Sequence, residues 1–395
     1  EKAMARRLAQ TGQWLATEAA TGRPMAEVLG EATMHLLALA DGGDTAADKP
    51  QRELVIEFIS ELERRRRGRQ EITGVPTPWF YLNHMTSGWR KKRVYTLAAR
   101  PGEGKSAALV AIAKCAAGQN SLGRKVTVGY VSLEMPAEEN IERQVAAEAK
   151  VNGRHLANGF WRDEQTDSFA LAAEALAGLP ILYCDEDQMT ATQLYLLLRR
   201  WKRQHDIGIA CIDYAQLVLP DDARMEDRPH LYIEETMRVL KRAAKQLDIP
   251  IVVLAQLNRD VEKGGTRAPV NRKPVLSDLH GSSGIEKNSD FVGLMYQPTL
   301  EDDNFEDMKW LRHHTPDDPD GRSAWHTAAV ARVAGLAGEF VEVNAAWREE
   351  FSRIDIIVAK NRGGPKGRCE LVMHRSTTRM VDAHSPRRGQ MEVAL

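Results

Sequence analysis

The segment Val94-Tyr-Thr-Leu-Ala-Ala-Arg-Pro-Gly-Glu-Gly-Lys-Ser106 constrains the fold of this 395-residue chain more than any other. Val94 to Ala99 is a short apolar run of the kind that forms a buried parallel strand. Arg100-Pro101-Gly102-Glu103-Gly104 is a turn that neither helix nor strand tolerates. Lys105-Ser106 then opens an Ala-rich helix through Ala117. Strand, glycine loop and helix N-terminus together make a phosphate cradle. The glycines let successive N–H groups turn inward, and the helix dipole adds partial positive charge. In such a P-loop Lys105 reaches the β- and γ-phosphates of a bound nucleotide, and the Ser106 hydroxyl holds Mg²⁺. The consensus wants glycine where Ala99 stands.

The bulk properties set the outer limits. The length accommodates one large domain and a smaller one, and a 43% hydrophobic content supports a sizeable core. A formal net charge of −1 excludes a globally basic nucleic-acid binder. A basic channel lining would have to come from local clustering of the 54 Lys and Arg. Cys115, Cys184, Cys211 and Cys369 form no Cys-x-x-Cys pair and read as reduced thiols of a cytoplasmic protein. No apolar run reaches the ~18 residues of a membrane span, and no signal peptide is visible. The chain begins at Glu1 rather than Met, so a longer gene product is expected.

Residues 1–40 read as a helical hairpin broken at Thr21-Gly22-Arg23-Pro24, with Met4, Leu8 and Leu15 near one face of its first helix. Asp41 to Pro50 reads as a linker. A helix over Arg52–Arg67 carries Leu54, Phe58 and Leu62 as one apolar stripe, and its Arg64–Arg67 run as a solvated end suited to the helix dipole. From residue 71 strands and helices alternate. Strands are predicted at 125–133, 181–184, 207–212, 251–255, 291–296, 354–359 and 369–373. Helices are predicted at 137–150, 192–204 and 232–247. The alternation predicts an α/β fold with a mostly parallel sheet, whose ligands bind at the carboxyl ends of the strands.

Three of those ends carry polar residues suited to nucleotide hydrolysis: Glu134, Asp213 and Gln256. An Asp after an apolar strand holds Mg²⁺ directly or through water. A Glu can orient and deprotonate an attacking water, and a Gln beside the γ-phosphate can report its presence. Further on, Ala359-Lys-Asn-Arg-Gly-Gly-Pro-Lys-Gly367 reads as a hairpin tip. Lys360 and Arg362, two apart, share a face if extended. They read either as solvated turn charges or as phosphate-sensing fingers for a neighbour's nucleotide.

The chain resembles the DnaB-family replicative DNA helicases, hexameric motors with a RecA-like core. The matching strings are Ile72-Thr-Gly-Val-Pro-Thr77, Ala98-Ala-Arg-Pro-Gly-Glu-Gly-Lys-Ser106, Val131-Ser-Leu-Glu-Met-Pro136, Ile212-Asp-Tyr-Ala-Gln-Leu217, Leu254-Ala-Gln-Leu-Asn-Arg259, Ser277-Asp-Leu279 with Gly284-Ile-Glu286, and Lys360-Asn-Arg-Gly-Gly-Pro365. They are collinear, and Ala99 is usual in that family. The resemblance implies a RecA-like P-loop ATPase core over 71–380, preceded by a remnant of the N-terminal helical hairpin (1–40) and by a linker with its helix (41–70), and followed by a tail (381–395). It implies ATP bound by Arg100 to Ser106, Mg²⁺ by Ser106 and Asp213, water activation by Glu134 and γ-phosphate sensing by Gln256. Lys360 and Arg362 fall on its trans-acting fingers. Its partners would be single-stranded DNA, five further copies in a homo-hexamer, a helicase loader and primase, in the cytoplasm of a bacterium or encoded by its phage.

This sequence departs from that family in three places. The globular head of the usual N-terminal domain is missing. The DNA loop, usually Asp-Leu-Arg-Glu-Ser-Gly, is here Asp278-Leu-His-Gly-Ser-Ser-Gly284, so His280, Gly281, Ser282, Ser283 and Gly284 would meet DNA with backbone amides carrying more of the phosphate contact. Pro298–Phe351 is a longer connection, and its His313 and His314 lack a ligand set with metal spacing, so it reads as a surface insertion. The expected activity is ATP-driven unwinding of duplex at a replication fork. Two rivals are a RecA-like repair or recombination ATPase and a nucleotide-switched loader that binds DNA without unwinding it.

Overall fold

The computed structural model describes residues 2–23, scattered positions between 25 and 36, 50–68, 72–257 except 119, 121–122, 162 and 222–227, then 273–279, 282–297 and 351–383. The linker over 41–49, most of the hairpin's second helix, His280, Gly281, nearly all of the 298–351 insertion and most of the tail lie outside the described residues. Ten helices are described: α1 (Lys2–Ala19), α2 (Gln51–Gly68), α3 (Phe80–Thr86), α4 (Lys105–Ala116), α5 (Ala137–Ala149), α6 (Gly153–Ala157), α7 (Thr166–Ala177), α8 (Ala191–His205), α9 (Pro229–Gln246) and α10 (Ser282–Asn288). The strands are β1 (Val94–Ala99), β2 (Val128–Ser132), β3 (Ile181–Cys184), β4 (Ile209–Asp213), β5 (Ile251–Gln256), β6 (Phe291–Tyr296), β7 (Phe351–Asn361), β8 (Gly367–His374) and β9 (Arg379–Asp382).

The described strands form one sheet in the order β3-β2-β4-β5-β1-β6-β7-β8-β9. The six from β3 to β6 are parallel, and β7, β8 and β9 extend the sheet antiparallel. β1 lies between β5 and β6 and is buried along its whole length. Alternation sends side chains to two cores. Val253, Ala255 and Ile212 pack with Leu194, Leu198, Met237 and Leu240 of α8 and α9. Val252, Leu254 and Cys211 pack with Leu82 of α3 and Leu109 and Ile112 of α4. Local signals place the helices. Thr190 and Gln193 form a capping box at the start of α8, and Pro229 opens α9.

Most predicted elements are present with shifted ends. The strand expected over 125–133 narrows to 128–132, and β7 and β8 are longer than expected. β9, α3, α6, α7 and α10 are absent from the sequence reading. At the N-terminus the Trp14 ring stacks on His35 with centroids 4.7 Å apart. Arg23 bridges Glu18 at 3.0 Å and Glu31 at 2.9 Å. The stripe of α2 is uncovered: Leu54, Phe58 and Leu62 are 49%, 56% and 41% exposed. Among the described residues no helix is long and apolar enough to cross a membrane.

Candidate active site

The carboxyl end of β1 runs directly into the phosphate cradle. Gly102 and Gly104 both hold φ +79°, the left-handed region that side chains with a Cβ rarely adopt. At Gly104 a Cβ would also come within 2.6 Å of Met380 Cε and 2.9 Å of Met373 Sδ. The antiparallel end of the sheet therefore braces the loop from behind. Inside the turn the Glu103 carboxylate accepts the Arg100 N–H at 3.0 Å, and the Glu103 N–H donates to the Arg100 carbonyl at 3.3 Å. These bonds fix the loop without using the N–H groups at the start of α4.

Parallel register gathers the other groups at the same edge. Ala99 of β1 pairs with Gln256 of β5, and Ser132 of β2 with Asp213 of β4. The Leu257 N–H donates to the Ala99 carbonyl at 3.1 Å, and the Leu133 N–H to the Asp213 carbonyl at 2.8 Å. Lys105, Ser106, Glu134, Asp213 and Gln256 thus come together, as the sequence predicts. Lys105 Nζ lies 4.0 Å from a Glu134 carboxylate oxygen and 3.9 Å from the centroid of the Tyr214 ring. Burial lowers the Lys105 pKa, opposed by Asp213 and Glu134.

Asp213 is 1% exposed, and burial raises its pKa against the Ser106 hydrogen bond and the Lys105 charge, which lower it. Its Oδ1 has no hydrogen-bond partner among the described residues. A buried carboxylate oxygen without a donor, beside a serine hydroxyl at a phosphate cradle, fits a hard divalent cation such as Mg²⁺. Glu134 differs: its side chain is 49% exposed beyond β2, within reach of water. One carboxylate is thus set for a cation and the other for solvent.

Comparison with known proteins decides the family. The DnaB-like helicase C-terminal domain model matches residues 74–382. The chain belongs to the DnaB-like helicase family. Its members are ATP-dependent enzymes that unwind DNA at the replication fork. Similar curated proteins are the replicative DNA helicase DnaB of Helicobacter pylori (30% identical; 90% of this chain, 69% of that one) and the replicative DNA helicase DnaC of Bacillus subtilis (29%; 76% and 64%). The chain spans about two thirds of the length of the curated relatives it matches. Among solved structures it is similar to a DnaB-like replicative helicase whose interactions with primase were described (TM-score 0.61, 23% identity, 96% of this chain and 76% of that chain). It is also similar to a solved ATPase domain, nearly the whole of which it covers (TM-score 0.63, 24%, 85% and 99%).

Lys360 and Arg362 do not join the site of their own chain. β7 runs antiparallel to β6, so Lys360 pairs with Val292 and Asn361 with Phe291, at the start of β6. β6 is in parallel register with β1, so these residues stand at the edge where β1 begins. Arg362 lies just past β7, in the turn, yet both cations converge on the end of α10. Lys360 Nζ donates to the Glu286 carbonyl, and Arg362 donates to the Lys287 carbonyl at 3.3 Å. The tip is held rigidly: the Asn361 amide donates to the Met85 carbonyl at 3.0 Å, and a Cβ on Gly364 would lie 2.2 Å from that same oxygen. Of the predicted DNA loop, Ser282, Ser283 and Gly284 form the first turn of α10.

Two residues of the site carry no role in the sequence reading. Tyr214 supplies the ring under Lys105. Gln216 clamps the end of β5, its amide donating to the Gln256 carbonyl and its Oε1 accepting the Gln256 N–H, both at 3.2 Å. Both stand inside the string Ile212 to Leu217, whose resemblance was the only available signal.

Proposed function

We propose that this chain is the subunit of a hexameric ring that hydrolyses ATP with Mg²⁺ at subunit interfaces and moves along single-stranded DNA, unwinding duplex ahead of it. The carrying observation is the placement of Lys360 and Arg362 at the sheet edge opposite their own phosphate cradle. Two cations on a rigid tip, unable to reach the nucleotide of their own chain, are positioned to serve another. The exposed apolar residues of α2 support the same reading, because a neighbouring copy would cover them.

In this reading residues 100–106 hold the phosphates through backbone N–H groups, and Lys105 leaves Tyr214 for the β- and γ-phosphates. Ser106 and Asp213 would hold Mg²⁺, which when bound supplies neutralising charge between the phosphates. Glu134 orients the attacking water and takes its proton. Gln256 stands beside the γ-phosphate with its backbone fixed by Gln216. Lys360 and Arg362 of the adjacent subunit meet the charge that develops on the transferred group. His280 to Gly284 contact the DNA backbone. Leu257, next to the sensor, is joined by an antiparallel β-bridge to Leu279 just before that loop, which would give nucleotide state a short hydrogen-bonded path to DNA.

The division into a hairpin remnant, a linker and a core belongs to the same proposal. So do a loader and a primase as partners, the latter by analogy with the similar helicase described with primase, and a bacterial cytoplasmic setting. The decisive test is unwinding of a duplex bearing a 5′ single-stranded tail, with Lys105→Ala as the control. ATP-dependent strand separation by the wild type alone is expected. ATP hydrolysis stimulated by DNA without strand separation would favour a recombination ATPase or a loader.

A further inference from the structure

Asp290 has no place in the site above, yet its carboxylate meets three partners, Val94, Lys241 and Arg362. It is 8% exposed and sits between α10 and β6. Its N–H donates to the Val94 carbonyl at 2.8 Å, and its Oδ2 accepts the Val94 N–H at 2.9 Å. The same oxygen takes the Lys241 ammonium of α9. The carbonyl of Asp290 accepts the Arg362 N–H at 2.9 Å, and Oδ1 lies 3.6 Å from the Arg362 guanidinium. One residue therefore grips Arg362 by both backbone and side chain while being anchored to the start of β1.

The charges around it explain why such a grip is needed. Lys360 is repelled by both Arg362 and Lys241, with Asp290 and Glu286 as the nearby acids. Glu286 is exposed, whereas Asp290 is buried, so the Asp290 field is the less screened. An arginine has four rotatable side-chain bonds and loses considerable entropy when fixed. Without the carboxylate, the guanidinium, already 53% exposed and repelled by Lys360, would be held by the Lys287 carbonyl alone.

We propose that Asp290 is a positioning residue for Arg362: it presets the guanidinium of one subunit for the nucleotide of the next, without touching any nucleotide itself. This rests on the trans-finger reading above. Asp290→Asn keeps the shape and removes the charge. In homomeric rings it should lower kcat by roughly 10- to 100-fold, the scale of a misplacement of about 1 Å, and leave the ATP dissociation constant within about twofold, as no phosphate contact is lost.

Mixed rings read the direction of the defect by single-turnover hydrolysis. Lys105→Ala with Arg362→Ala is the reference mixture, in which intact cradles meet intact fingers at some interfaces. Asp290→Asn with Lys105→Ala should recover as much activity as the reference, because the Asp290→Asn cradle meets a neighbour's undisturbed Arg362. Asp290→Asn with Arg362→Ala should show no more than the residual turnover of the Asp290→Asn subunits, because no undisturbed finger is present. A wild-type kcat in Asp290→Asn homomers would overturn the inference. So would failure of Asp290→Asn with Lys105→Ala where the reference recovers, since the defect would then lie in the variant's own cradle, reached through Val94 and β1. Failure of the reference mixture itself would overturn the trans-finger reading, and this inference with it. Should Asp290→Asn give no folded rings, Lys241→Met homomers are measured instead. The variant leaves the carboxylate to Val94 and Arg362, so kcat and the ATP dissociation constant should both stay within about twofold of wild type. A fall in kcat of about tenfold or more would show that the carboxylate serves Lys241, and would overturn the inference.

Discussion

Arg362→Ala separates action within a chain from action between chains by magnitude alone. Asp290, which grips Arg362, hydrogen-bonds Val94 at the start of β1, and the phosphate cradle begins beyond Ala99. Five strand steps at about 3.3 Å each put Arg362 roughly 17 Å from its own cradle. Two unit charges at that distance interact by about 0.25 kcal/mol in water and about 1 kcal/mol at an effective dielectric constant of 20. Acting within its chain, Arg362 could therefore change the hydrolysis rate by at most about fivefold. A finger touching the transferred phosphoryl group is worth roughly 10³-fold or more. The expected result is a fall in kcat of at least about 10³ with ATP affinity within about twofold. Steady-state phosphate release at saturating ATP and DNA, together with fluorescent-nucleotide titration, measures both. A fall of less than about tenfold would refute the reasoning, because electrostatics across the sheet would then suffice.

Other expectations concern the opposite edge. Glu134→Gln should retain nucleotide binding and lose roughly 10²- to 10⁴-fold in hydrolysis, trapping rings on DNA, since an amide cannot accept the water's proton; nucleotide titration and single-turnover hydrolysis distinguish this from loss of binding. Asp213→Asn should abolish Mg²⁺-dependent hydrolysis and yet stabilise the metal-free chain by about 1 kcal/mol at pH 7, by relieving a buried carboxylate whose Oδ1 has no hydrogen-bond partner among the described residues. The sign follows from burial raising the folded pKa of Asp213 above 3.8. The stability its protonated form confers is present at low pH and is lost as pH rises through the folded value. Calorimetry should therefore show the gain at pH 7 shrinking on acidification. Single-strand affinity should fall with salt, by a log–log slope of about −0.7 per phosphate contacted, with little sequence preference; salt-independent binding would contradict a channel that neutralises the phosphates of the strand.

The edge that gathers the candidate site was legible in the sequence because every part of it is local. Val94 to Ser106 encodes strand, turn and helix within one segment, and Glu134, Asp213 and Gln256 each sit at the end of an apolar run. What escaped depends on contacts between distant segments. Asp290 meets Val94 across 196 residues, and no pattern near either announces it. The helix α7 buries only Ala172 among its described side chains, so it has no stripe to detect. β9 is four residues long and only half-buried. Lys360 and Arg362 were legible as a pair of cations, but not their edge of the sheet: that is set by β7 running antiparallel to β6, which strand patterns alone do not reveal. The stripe on α2 was legible as amphipathic, and the structure adds that it is exposed.

The central claim is that each ATP site is completed by a second subunit, and the wild-type protein tests it by dilution. Specific ATPase activity at saturating ATP, Mg²⁺ and single-stranded DNA is measured across a concentration series, with light scattering on the same samples. The account predicts that dissociated chains bind ATP but do not turn it over, so activity per chain rises with the fraction assembled into rings. A monomeric fraction that hydrolyses ATP at the rate of the ring would contradict it.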